Sequence, residues 1–237
     1  MKQKNILPYL VLVLFMAIGC KKEKTESEPT LSTCEQVNEL TGNTEFMAKF
    51  QSLYEESKIN NYETGYVLFS TSKSSYAYER VVGEQNKASI NIDVDKALDG
   101  FIHCHYSNLF PIFSASDIRA VYDVYDIDQM KNPQTFLLGV VSEAGESYLL
   151  KIENIELFKQ FGQQYFQSLQ SFHNFENSYY DKQQSLLSKG RTVSFEISLL
   201  DMLKNSGLVL FKGNLQFNRW LRMEKGTDGN LITSVCQ

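Results

Sequence analysis

GFIHCHYSNLFPIFSASDI, Gly100 to Ile118, changes pattern halfway along. In an extended GFIHCHY, alternate side chains point to opposite faces, so His103 and His105 share one face and Cys104 takes the other. Further on, Ser114-Ala-Ser-Asp117 has the form of a helix capping box, with an aspartate in the first turn where the helix dipole favours negative charge. The stretch predicts a strand, a loop holding Pro111, and a helix from Ser116 to about Met130. Two of the chain's three histidines and one aspartate are thereby set at the two ends of a single loop. They read either as a plain strand face followed by a cap, or as a site where two imidazoles and a carboxylate meet. Capping and metal ligation do not exclude each other.

Working outward, the hydrophobic spacing predicts a helix over Thr44 to Ser57, with Phe46, Phe50, Leu53 and Tyr54 on one face. Strands are expected at Tyr62 to Ser70, Tyr76 to Val82 and Ala88 to Val94, each short, β-rich and bounded by polar turns. Phe136 to Ser142 and Ser147 to Ile152 read as a hairpin about the turn Glu143-Ala-Gly-Glu146. From Leu157 to about Leu187 helical spacing runs through Phe161, Tyr165, Phe166, Leu169, Phe172 and Phe175, which predicts one long helix. A helix over Ser194 to Asn205 follows, then strands at Leu208 to Lys212, Trp220 to Glu224 and Leu231 to Val235, the last two joined by a Gly226-Thr-Asp-Gly229 turn.

This order, with a glutamate on an early strand, then His-x-His, then Ser-x-x-Asp at a helix start, resembles the JAMM (MPN-plus) zinc metallopeptidases. The matching residues are His103, His105, Ser114 and Asp117, with Glu63 as the upstream glutamate. The resemblance covers about residues 44 to 155. It implies an α+β fold in α/β/α layers, a mixed sheet flanked by helices as in JAMM and cytidine-deaminase-like proteins, with a C-terminal helical and β-hairpin elaboration. The implied organisation is a JAMM-like domain over 34–155 and an extension over 156–237. Three departures stand out: eight residues separate His105 from Ser114 where about seven are usual, Tyr106 and Cys104 replace common residues, and Gly65 follows Glu63 by two positions instead of about three.

The resemblance implies that His103, His105 and Asp117 hold Zn2+ and leave one position open. It further implies that Glu63 moves the proton in amide hydrolysis and that Ser114 stabilises the developing oxyanion. The substrate would be a peptide, a protein or cell-wall peptide. The alternative is a catalytically inactive JAMM-like protein that binds or scaffolds, with a protein partner at the C-terminal helices. His173, in Phe172-His-Asn-Phe175, reads as packing or surface. Asp123, Asp126 and Asp128 lack the glycine and closing glutamate of a calcium loop.

The amino terminus places this chemistry. Lys2 and Lys4, an apolar run from Ile6 to Phe15, and small residues before Cys20 predict a signal peptide over 1–19. The cysteine at that point resembles a bacterial lipobox, which implies that Cys20 is lipidated and that the protein is anchored to a membrane of the cell envelope. Residues 20–33, polar and without apolar periodicity, read as a flexible tether. The chain carries a net charge of −5 and loses two lysines with the signal peptide, which argues against nucleic acid as a partner. Outside the cytosol an even pair of cysteines bridges, and Cys34 with Cys236 would tie the ends together, leaving Cys104 as a free buried thiol.

Overall fold

The computed structural model describes residues 31–72, 75–92 and 95–236. Its strands are β1 (Thr64–Ser72), β2 (Ser75–Val82), β3 (Gly100–His105), β4 (Leu137–Ser142), β5 (Ser147–Ile152), β6 (Leu208–Gly213), β7 (Trp220–Lys225) and β8 (Leu231–Val235). They form one eight-stranded sheet in the order β2-β1-β3-β4-β5-β6-β7-β8. β3 and β4 run parallel, and every other neighbouring pair is antiparallel. A parallel pair needs a crossover, and here it is α3 (Ala115–Asp126), the helix that follows the His-x-His strand.

Helices cover both faces, which gives the expected α+β sandwich of three layers. On one side lie α1 (Thr33–Leu40) and α2 (Thr44–Ile59), whose Val37, Phe46, Phe50 and Leu53 pack on Ile102, Cys104 and Leu149. On the other lie α3, α4 (Ile155–Tyr165), α5 (Leu169–Ser185) and α6 (Arg191–Met202), packed on Phe101, Val140, Tyr148 and Leu150. β3 sits between the layers and is buried at every residue, as strands covered on both faces are. The described residues make one compact unit. The boundary expected at residue 155 does not divide the sheet, because β5 pairs with β6 across it.

Four expectations need correction. The aromatic run from Leu157 to Leu187 is not one helix: it breaks at Phe166 and restarts at Ser168, whose hydroxyl accepts from Ser171 N. In a continuous helix residues 161 and 175 would stand about 21 Å apart along the axis, whereas their rings lie 5.7 Å apart, so burying both in one cluster requires the break. Ala88 to Ile92 is coil, because its Ile90 and Ile92 side chains line a cavity instead of joining a ladder. α3 stops at Asp126, and Asp128 takes a left-handed conformation (φ 58°) that returns the chain to Leu98. Finally, residues 31–33 belong to the fold and not to a tether: Ser32 and Glu35 form a capping box at the start of α1.

The signal peptide over 1–19, Cys20 and the tether up to residue 30 lie outside the described residues, as do the last two residues of the Ala88–Val94 stretch. Among the described residues no helix is long and apolar enough to cross a membrane. Cys34 and Cys236 form a disulfide with their Cα atoms 5.0 Å apart, and Cys104 is free and buried.

Candidate metal centre

β3 projects His103 and His105 onto the α3 side of the sheet, next to Phe101, while Cys104 points to the α2 side. α3 then brings Asp117 back over the strand. Ser114 caps it, accepting from Asp117 N at 3.2 Å, while Asp117 Oδ2 accepts from Ser114 N at 2.6 Å and from Ser114 Oγ at 2.8 Å. The capping box is therefore also the device that orients the carboxylate, and it leaves Oδ1 turned towards His103.

The three donors converge. His103 Nε2 lies 3.1 Å from His105 Nε2 and 3.2 Å from Asp117 Oδ1, and His105 Nε2 lies 3.5 Å from Asp117 Oδ2. Tetrahedral ligands at the usual zinc–nitrogen and zinc–oxygen bond lengths stand about 3.3 Å apart, so the donor set fits a metal ion of this kind. Donor chemistry supports the same conclusion. His105 Nδ1 lies 2.8 Å from Phe110 O; a carbonyl only accepts, so Nδ1 carries hydrogen and Nε2 is the nitrogen that faces the other donors. His103 Nδ1 is buried with no hydrogen-bond partner among the described residues, so Nε2 is the nitrogen through which that ring interacts. His103, His105 and Asp117 together can hold a metal ion.

The electrostatics agree with a site built for positive charge. Burial would lift the Asp117 carboxyl, but His103 and His105 outweigh it and hold Asp117 well below the ordinary range. Burial likewise pulls His105 down, yet Asp117 and Glu63 raise it to about 9. Glu63 sits just before β1, with Oε1 3.8 Å from His105 Nε2. Its backbone is held on both sides: Glu63 O accepts from Gly83 N at 2.8 Å, and the next residue's N donates to Cys104 Sγ at 3.4 Å. Cys104 thus anchors the glutamate from the opposite face of β3. Gly65 pairs with His103, and a Cβ there would come 2.7 Å from Ile102 O and 3.2 Å from His103 Cβ, so glycine is what lets β1 approach the histidine strand.

All five sequence-predicted residues, Glu63, His103, His105, Ser114 and Asp117, line one cavity of about 530 Å³. Ile90, Ile92, Leu98, Phe101, Val124 and Ile127 form its apolar wall. Ser114 differs from its expected role in one respect: its hydroxyl donates to Asp117, so contact with a substrate oxygen requires that proton to turn away. His173 lies outside the site, exposed and 3.5 Å from Glu176. The Phe110 carbonyl and the Cys104 anchor are the contributions that the residue pattern did not announce. No protein-family model matches the chain, and no curated protein matches it.

Proposed function

We propose that this chain is a metal-dependent amide hydrolase of the JAMM type, with zinc as the metal, acting on a peptide or protein from a lipid anchor at the bacterial cell envelope. The observation that carries the reading is the convergence of two imidazole nitrogens and one carboxylate oxygen within a cavity that also receives the Glu63 carboxylate. A zinc ion held there would supply Lewis acidity and lower the pKa of water.

The chain's own residues supply the rest. His103, His105 and Asp117 hold the ion on two rigid elements. Burial pushes the Glu63 carboxyl up from its ordinary value, against the pull of His105 and His103, which makes it a stronger proton acceptor than an exposed carboxylate and suits it to pass a proton to a leaving amine. Ser114 keeps Asp117 aligned. The apolar wall from Ile90 to Ile127 favours a substrate with an apolar group next to the scissile bond.

Elemental analysis of the purified protein beside His103→Ala and Asp117→Ala tests the first step. About one zinc per chain, lost in both variants, supports the site; no metal after zinc reconstitution sinks it. With metal established, a peptide-substrate screen decides between turnover and a binding protein that keeps the site without the reaction.

A further inference from the structure

We infer that the C-terminal helices set the geometry of the metal centre through the β3–α3 loop, with Tyr179 and Arg191 as positioning residues; this rests on reading His103, His105 and Asp117 as ligands. The loop, residues 106–113, carries both supports of the ligand set: Phe110 O faces His105 Nδ1, and the loop delivers Ser114, the cap that aims Asp117. Within itself it has a single backbone bond, Leu109 N to Tyr106 O at 3.2 Å. Its shape has to come from elsewhere.

It comes from α5 and α6. Tyr179, buried on α5, donates its hydroxyl to Phe113 O at 3.1 Å, one residue before the cap. Arg191, the first residue of α6, donates Nη2 to Leu109 O at 2.7 Å, one residue before Phe110. Between these two grips the Phe110 ring lies against Phe195, Tyr180 and Tyr179, at centroid distances of 4.7, 5.3 and 6.2 Å. The Tyr179 hydroxyl is buried and faces a carbonyl, which only accepts, so the hydroxyl is the donor. Tyr179 and Arg191 contact the loop and not the ligands, so their effect passes through Phe110 and Ser114. Outer-shell partners of metal ligands are worth about 10- to 100-fold in metal affinity.

The test is zinc affinity by competition with a chelating dye, with the visible spectrum of the cobalt(II)-loaded protein as a second readout of ligand geometry. Both use the full-length protein in detergent. Tyr179→Phe deletes one hydroxyl and should weaken zinc about tenfold and change the cobalt spectrum. Arg191→Ala should act in the same direction, and Arg191→Lys, which keeps a donor, should restore part of the loss. Phe175→Leu, in the same helix but packed on Phe161 and Phe166, controls for general destabilisation and should bind zinc as the wild type does. Wild-type affinity in Tyr179→Phe and Arg191→Ala, or equal losses in Phe175→Leu, would overturn the positioning role while leaving the ligand reading intact. A wild type that takes up no zinc overturns both.

Discussion

Glu63 and Lys151 are both buried ionisable side chains, and their surroundings give them opposite consequences. Glu63 has the His105 imidazole within 3.8 Å and faces the cavity, so its cost of burial is tied to the site. Glu63→Gln keeps the shape and removes the titratable oxygen. We expect it to retain zinc at the wild-type level and to lose amide hydrolysis by about 100-fold or more, measured as turnover per bound metal; undiminished turnover would remove Glu63 from the mechanism. Lys151, on β5, donates Nζ to Thr135 O at 2.9 Å, and burial lowers its pKa to about 7. Between pH 7 and the ordinary lysine value the unfolded chain binds the proton and the folded chain does not, so stability rises with pH across that window. The cost is fully present below pH 7 and is on the order of 5 kcal/mol. Urea unfolding of Lys151→Met should therefore show a gain over wild type at pH 6 that shrinks towards pH 10. A gain independent of pH would mean that Lys151 is charged or solvated in the folded state. The shared strand face of His103 and His105 was legible from alternation and the place of Asp117 from its capping box, whereas their grouping as one site came from the resemblance. The Phe110 carbonyl was not, since a main-chain oxygen has no residue signature, and Tyr179 reaches the loop only after a distant helix has docked.

Elements were legible where one local rule fixed them and illegible where packing chose among several. The β4–β5 hairpin and α2 follow from turn and periodicity alone. The α4–α5 break does not, since its phenylalanines keep helical spacing on both sides and Ser168 is the single local sign of a new start. Ala88 to Ile92 alternates like a strand, yet its apolar residues are used by the cavity wall. α1 was announced by Ser32 and Glu35 but hidden in a charged stretch. Gly162 shows how close the helix packing has become: a Cβ there would run into the ring of Tyr122 on α3. Gly162→Ala improves helix propensity by about 1 kcal/mol but forces α4 and α3 apart, and overpacking costs about 1–3 kcal/mol. Net destabilisation in thermal unfolding is expected; a stabilised variant would show that Tyr122 can turn aside.

At the scale of the molecule, the C-terminal strands β6 to β8 complete a sheet that the N-terminal part begins, and α5 and α6 contact the loop between His105 and Ser114. The Cys34–Cys236 disulfide joins α1 to the end of that sheet across a sequence separation of 202. In the chain-entropy account such a closure is worth roughly 5 kcal/mol. Reduction should lower the melting temperature by about 10 °C or more, and Cys34→Ser/Cys236→Ser should melt where the reduced wild type does; an unchanged melting temperature would show that the contacts of α1 already hold the ends.

With positions 34 and 236 bonded, the intervening chain is a covalent ring. A protease that cuts the exposed coil near residues 84–89 would therefore release no fragment, and the clip would show only after a reducing agent opens the bond. That linkage turns a severed backbone into a nicked but undivided molecule.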